Sequence, residues 1–196
     1  MLTFAAAVFL LIITPGPGVL STAGVGAAYG FRAGLRYVLG LFIGTNLVAL
    51  AVVTGLAALI LANPVIRTAL FAASTCYLLY LAARIAFAGS KVAFIEARKQ
   101  PGTLAGILLQ TINPKAYAVN TTLFSGFVIF ADAYWTEVIV KFLIVNAIWI
   151  PIHLVWLYAG SILERLDLPQ RTHRIINVAM ATAMLGVVAL AAWSSL

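Results

Sequence analysis

Apolar residues in this chain fall into six long runs, and most polar residues lie between those runs. A helix needs about 20 apolar residues to cross the hydrocarbon core of a bilayer. The runs of sufficient length cover residues 2–24, 37–61, 68–88, 104–131, 138–160 and 175–193. None of them alternates between apolar and polar positions as a membrane barrel strand does, and only helices or closed barrels satisfy their backbone in lipid. The pattern therefore predicts an all-α integral membrane protein with six transmembrane helices.

The composition favours the same class of protein. Of the 196 residues, 64% are hydrophobic and 9% are charged, whereas a soluble domain carries about 25% charged residues. The net charge of +7 comes mainly from basic residues between the runs, where they set topology and meet anionic lipid headgroups. This placement disfavours binding to nucleic acid. The lone cysteine, Cys76, lies inside an apolar run, so the sequence excludes an internal disulfide.

The basic residues also predict the orientation of the chain. The segments after the first, third and fifth runs carry Arg32, Arg36, Lys91, Arg98, Lys99, Arg165, Arg171 and Arg174. The segments on the other side offer only Arg67 and Lys141. By the positive-inside rule the first set is cytoplasmic, which places the C-terminus outside. The N-terminus is also outside if the first run crosses fully. Because prolines interrupt this run, the alternative is a re-entrant segment that enters and leaves the membrane on the same side.

Two of the runs are interrupted at matching positions in the two halves of the chain. The interrupting residues are Thr14, Pro15, Gly16, Pro17 and Gly18 in the first run, and Asn113, Pro114 and Lys115 in the fourth. Pro15 and Pro114 are 99 positions apart, and Asn46 and Asn146 are 100 apart. This spacing divides a single domain, 1–196, into repeats of about 1–90 and 103–196. Since each repeat has three runs, the two must be inverted relative to one another.

Interrupted segments in corresponding positions of two inverted halves are typical of a transporter's central binding site. Proline removes an N–H group and clashes with a carbonyl one turn earlier, so polar backbone groups near it lose their helical partners. In hydrocarbon, those groups need protein, water or a ligand. A lone proline such as Pro151 fits a simple kink. Four consecutive Pro and Gly residues predict an unwound turn, because all of them disfavour helix.

Lys115 is the candidate residue whose placement in the membrane costs the most free energy. It lies near the middle of the fourth run, and a lysine at the centre of a bilayer costs about 3 kcal/mol on insertion scales. Such residues usually face a bundle interior or a water-filled cavity. The alternative, that the side chain reaches an interface, requires a nearby helix end. We therefore expect Lys115 to have a functional role.

Other polar residues in the runs allow two interpretations each. The spaced pair Asn46 and Asn146 is a candidate for substrate binding, whereas Asn120 fits a hydrogen bond between helices equally well. His153 is a candidate proton carrier, but a core histidine bonded to a carbonyl is the favoured interpretation. Tyr77 and Tyr80 are interpreted first as helix packing.

Several short motifs, taken in order, resemble one known family. They are Thr-Pro-Gly-Pro at 14–17, the glycines Gly26, Gly30, Gly34, Gly40 and Gly44, Tyr-Leu-Leu-Tyr-Leu at 77–81, and Asn-Pro-Lys at 113–115. The glycines fit either close helix packing or, for the first of them, a tight turn. Together the motifs resemble the lysine exporter and homoserine–threonine efflux (LysE/RhtB) family over the whole chain.

The resemblance implies a multi-pass secondary transporter of the bacterial inner (plasma) membrane. It would export amino acids or related small zwitterions from the cytoplasm, driven by the membrane potential or by proton antiport. No cofactor is expected, and a homodimer is left open. The alternatives are an ion or metal transporter of the same superfamily, disfavoured because the runs hold no cluster of ligating side chains, and a membrane scaffold or enzyme, for which the sequence has no nucleophile–base or metal-binding arrangement.

We hypothesise that residues at and near the two interruptions bind both charged groups of the substrate. Lys115 pairs with the substrate carboxylate, beside backbone N–H groups at a helix start. Carbonyls freed by Pro15 and Pro17, together with Asn46 and Asn146, hold the substrate ammonium. Moving the substrate's anion into a low-dielectric cavity is costly without such a partner.

Overall fold

The computed structural model describes residues 1–14, 16–86 and 100–165, together with positions 169, 171–172, 174–176, 178–179, 182 and 186. Every regular element in this part of the chain is an α-helix. The helices are α1 (Leu2–Ile13), α2 (Pro17–Val53), α3 (Leu56–Ala62), α4 (Pro64–Ala86), α5 (Thr103–Ile112), α6 (Pro114–Ser125) and α7 (Tyr134–Arg165). The predicted all-α class is confirmed. Three parts of the sequence lie outside the described residues: Pro15, most of the sixth run, and the predicted cytoplasmic segment with Lys91, Arg98 and Lys99.

Three of the described helices are long and apolar enough to cross a membrane: Pro17–Val53, Pro64–Ala83 and Tyr134–Ile162. The first and fourth runs instead consist of shorter helices placed end to end, because each is interrupted where the proline motifs lie. The first run is α1 followed by the start of α2, and the fourth is α5 followed by α6. The second run is also divided, by Gly55 at φ 77° between α2 and α3.

Helix α2 is two helical legs joined by a sharp reversal at Gly30. This residue has φ 76° and ψ 173°, which is not helical. Tyr37 Oη donates a hydrogen bond of 2.9 Å to Ser21 Oγ, although a straight helix would separate these residues by about 24 Å along its axis. The chain therefore turns back at Gly30, and the legs 17–29 and 31–53 lie side by side. The tight-turn interpretation is confirmed at Gly30, whereas Gly26 and Gly34 pack closely against Leu157.

Small residues allow both legs of α2 to pack closely on neighbouring helices. A Cβ atom added at Gly40 would overlap the carbonyl of Thr103 at the start of α5. A Cβ at Gly160 of α7 would likewise overlap the carbonyl of Ala23. Backbones approach this closely only where side chains are absent, as is typical of helix packing in membranes. The leg 31–53 thus packs closely on α5 and the leg 17–29 on α7. Gly34 brings the leg 31–53 against Leu157 of α7 as well.

The first and fourth interrupted segments run antiparallel to one another. Near the start of α1, the rings of Phe4 and Phe127 have centroids 5.6 Å apart. At its other end, Thr14 contacts Lys115. Residue numbers therefore rise along one segment as they fall along the other.

Large apolar side chains cover much of the outer surface of the bundle. Exposed examples are Leu2 on α1, Leu39 on α2, Leu59 on α3, and Leu143 and Val155 on α7. A soluble monomer rarely exposes large apolar side chains in such numbers. A surface of this kind is suited to contact with lipid.

Lys141 corrects one prediction from the sequence. It was counted with the basic residues of the loops, although it falls near the start of the run 138–160. The structure places it within α7, with its side chain 1% exposed. Its ammonium donates hydrogen bonds to the carbonyls of Phe124 and Phe127 and forms an ion pair with Glu137. Phe124 lies in the last turn of α6, whose carbonyls have no partner within the helix, and Phe127 follows that helix. Lys141 supplies a partner to both carbonyls.

Candidate functional site

The structure brings the two interruptions into direct contact. Lys115 Nζ donates a hydrogen bond of 2.8 Å to the backbone carbonyl of Thr14. The lysine side chain then lies across Gly16, where an added Cβ would stand 2.8 Å from both its Cδ and its Nζ. Glycine at position 16 therefore provides the space that the lysine occupies.

Four helix ends meet around this contact. Helices α1 and α5 end at Ile13 and Ile112, while α2 and α6 begin at Pro17 and Pro114. Proline suits the first position of a helix because no N–H partner is needed there. Pro17 is therefore the structural counterpart of Pro114. The starts of α2 and α6 carry partial positive charge and the ends of α1 and α5 partial negative charge, so the junction offers partners to both charges of a zwitterion.

Asn113 fixes the geometry of the second interruption. Its Oδ1 accepts a hydrogen bond of 3.1 Å from the backbone N–H of Lys115, which caps the start of α6. Its Nδ2 donates to Gln110 Oε1 at 3.0 Å, joining the end of α5 to the start of α6. Both amide side chains are buried. This network holds the backbone of Lys115 in one position.

A cavity lies at the junction of the four helix ends. Its volume, counted for the centres of water molecules, is about 60 Å³, which is room for roughly four waters. Apolar side chains of α1, α6 and α7 form much of its wall. The polar residues of the lining are Thr14, Thr45, Gln110, Asn113, Lys115, Asn120 and His153.

Five of the ten predicted site residues line this cavity: Thr14, Gly16, Gly18, Asn113 and Lys115. Pro17 and Pro114 are not part of the lining, although each begins a helix beside it. Pro15 lies outside the described residues.

Asn46 and Asn146 are brought together but bind each other. Each Nδ2 donates to the other's Oδ1, at 3.1 Å and 2.9 Å. Neither residue is in the lining of the cavity, whereas the preceding residues Thr45 and Val145 are. The amide pair thus joins the leg 31–53 to α7 directly behind the cavity wall.

His153 and Trp149 form a fixed aromatic pair on α7, one turn apart. Their rings stack with centroids 3.6 Å apart and 14° between the planes. His153 Nδ1 lies 3.0 Å from the carbonyl of Trp149, and a carbonyl only accepts, so Nδ1 carries the proton. The predicted carbonyl-bonded core histidine is confirmed. The structure adds that both rings line the cavity.

Sequence reasoning missed Gln110, Thr45 and Trp149 as lining residues. A signal for Gln110 was present, because it is a polar residue one helical turn before Asn113 in an otherwise apolar stretch. Thr45 and Trp149 carry no such signal. Only the packing of α2 and α7 around the junction brings them to the cavity.

A comparison with known families agrees with these features. The model of the LysE type translocator family matches residues 9–195, a range that contains both interruptions and the whole lining of the cavity. No curated protein and no solved structure matches the chain. Because the family match covers nearly the whole sequence, this multi-pass membrane transporter belongs to the LysE type translocator family.

Proposed function

We propose that the protein exports amino acids or related small zwitterions from the cytoplasm, and that the cavity at the junction of the helix ends is their binding site. The observation that carries the proposal is the position of Lys115. Its ammonium lies in the cavity lining, where four helix ends meet. Among the described residues of that lining there is no Asp or Glu, so the cavity favours a substrate with an anionic group.

Lys115 and the starts of α2 and α6 form the carboxylate side of the site. The ammonium of Lys115 is a hydrogen-bond donor and binds the carbonyl of Thr14 at 2.8 Å. A charge-assisted hydrogen bond from such a group to a carboxylate is about twice as strong as a neutral one. The partial positive charge at the two helix starts adds to this attraction. These contacts offset the cost of taking the carboxylate out of water.

The ends of α1 and α5 form the ammonium side. Their last carbonyls lack partners within the helix and carry partial negative charge. Asn46 and Asn146 contribute indirectly in this proposal, because their mutual hydrogen bonds hold Thr45 and Val145 in the wall.

The mechanism that we propose is alternating access between two inverted repeats, about 1–90 and 103–196, each of three helices. The antiparallel course of the two interrupted segments supports this arrangement, as does the pairing of two asparagines 100 positions apart. Movement of one half against the other would expose the junction to each side in turn. Proton antiport across a bacterial inner membrane supplies the energy in this scheme.

The proposal is tested by release of metabolites from proteoliposomes. Purified protein is reconstituted with an equimolar mixture of the twenty standard amino acids inside, a pH gradient is imposed, and released compounds are identified by mass spectrometry. We expect the wild-type protein to release a subset of them. Lys115→Met keeps the bulk but removes the charge, and should lower release to the level of empty liposomes. In this scheme Lys115 releases its proton when the site is empty, and this release couples export to proton movement. Lys115→Arg keeps the charge but can hardly deprotonate, so it should bind the substrate and lose coupling to the gradient.

A matched control removes a positive charge away from the cavity. Arg67 is exposed on α4, and Arg67→Met should release amino acids as the wild type does. Thermal unfolding of all variants in detergent establishes that they remain folded. The proposal fails if the wild-type protein releases no amino acid, or if Lys115→Met releases them at the normal rate.

A further inference from the structure

His153 presents one nitrogen to the cavity in a fixed chemical state. Its Nδ1–H is held by the carbonyl of Trp149, and stacking on the indole of Trp149 fixes the plane of the ring. In a neutral imidazole whose Nδ1 carries the proton, Nε2 has a lone pair and only accepts hydrogen bonds. The side chain is 3% exposed and lines the cavity.

Gly18 and the side chain of Gln110 lie beside Nε2. A Cβ at this glycine would stand 3.6 Å from His153 Nε2 and 3.7 Å from the side-chain nitrogen of Gln110. No described residue donates a hydrogen bond to Nε2. Among the described residues, the fully buried side-chain nitrogen or oxygen atom without a hydrogen-bond partner is Tyr29 Oη. Nε2 also has no described partner but is not such an atom, so it is not fully buried. The space that it reaches is the cavity that His153 lines.

Nε2 and the ammonium of Lys115 border the same cavity. Lys115 lies against Gly16 and His153 Nε2 lies beside Gly18, so both lie next to the first interruption, at positions two residues apart. A donor and an acceptor that line one cavity can bind the carboxylate and the ammonium of a single substrate.

We propose that His153 Nε2 accepts a hydrogen bond from the ammonium group of the substrate, and so makes the site select zwitterions over simple carboxylates. The inference rests on the proposed function. It assigns to His153 a role in substrate specificity, with Lys115 binding one end of the substrate and His153 the other. Trp149 is a positioning residue that holds the imidazole in the required tautomer.

The test compares each exported amino acid with the carboxylic acid that lacks its ammonium group. The amino acids are those that the wild-type protein releases from the mixture above; L-serine, for example, is paired with 3-hydroxypropionate. The KM for export and the inhibition constant of the matched acid are measured for the wild type, His153→Phe and His153→Gln. Phenylalanine keeps a planar ring against Trp149 but has no acceptor. Glutamine can place an amide oxygen near the position of Nε2.

For His153→Phe we expect the KM for the amino acid to rise about tenfold or more, because a hydrogen bond to a charged group is lost. The inhibition constant of the matched acid should stay within about twofold of the wild-type value, since the acid makes no bond to Nε2. His153→Gln should recover most of the lost affinity. Equal changes for both compounds would show a purely structural role and overturn the inference.

A second measurement leaves residue 153 unaltered. The chain contains two histidines, so His173→Gln protein labelled with ¹⁵N-histidine carries a single imidazole. The resonance of unprotonated Nε2 should shift when an exported amino acid is added, and should not shift with the matched carboxylic acid. If the Nε2 resonance does not shift when the amino acid is added, the inference is overturned. The proposed function stands in that case, provided that export still depends on Lys115.

Discussion

At the scale of single residues, two lysines in apolar runs are accommodated by different means. Lys115 reaches a carbonyl in the opposite interruption, whereas Lys141 is enclosed by two carbonyls at the end of α6 and by Glu137. The sequence predicted that Lys115 is placed for function, from its distance to either end of its run. It could not predict the burial of Lys141, because the carbonyls that bind this lysine come from another helix.

Gly16 provides the most direct test at this scale. In Gly16→Ala the new methyl group would stand 2.8 Å from Lys115 Cδ and Nζ. Since the obstructing atoms are the flexible end of a side chain, we expect the lysine to be displaced and the protein to remain folded. Export from proteoliposomes should fall at least tenfold, with little change in the thermal unfolding temperature. Gly102→Ala is the matched control, because a Cβ there meets nothing within 4 Å. Normal export by Gly16→Ala would show that the lysine does not need this position.

At the scale of the elements, the sequence predicts interruptions better than reversals. The proline motifs at 14–18 and 113–115 indicated where two runs would be broken, because proline and glycine act locally on the backbone. The structure places helix boundaries at both positions. For the glycine series that includes Gly30, the sequence allowed two interpretations, a tight turn or close helix packing. Glycines at a four-residue spacing are equally compatible with a straight packed helix, and only the contacts between the two legs distinguish the alternatives.

The reversal itself can be tested at Gly30. Its φ of 76° and ψ of 173° belong to a region that is essentially restricted to glycine, where another residue costs about 1–3 kcal/mol. We expect Gly30→Ala to lower the thermal unfolding temperature in detergent by several degrees. Gly55→Asn is the matched control, since Gly55 has φ 77° and ψ −5°, a left-handed conformation that asparagine tolerates. Equal unfolding temperatures for these two variants would contradict a reversal that depends on the backbone of Gly30.

At the scale of the whole molecule, the half-chain spacing of motifs indicated which parts would meet. The two interruptions are in contact, and Asn46 bonds with Asn146. The sequence alone could not predict which polar side chains line the cavity and which bind each other instead. A buried amide can bind a substrate or another amide, and the choice depends on whether its side chain reaches the cavity. Here the asparagines satisfy each other, while His153 and Gln110 occupy the lining.

The last prediction concerns how the chain crosses the bilayer. Helices α5 and α6 contain 10 and 12 residues, and end to end they measure about 33 Å. This length matches a hydrocarbon core of about 30 Å, so we expect the segment to cross once despite its interruption at Asn113. Gln100 precedes it and Tyr134 follows it, and both residues are exposed. In a Cys76→Ser background, a cysteine at Tyr134 should react with an impermeant maleimide added to intact cells. One at Gln100 should react only after the membrane is permeabilised, because basic residues favour the cytoplasmic side. Labelling of both from outside would mean that α5 and α6 form a re-entrant segment, and would remove the basis for two inverted halves.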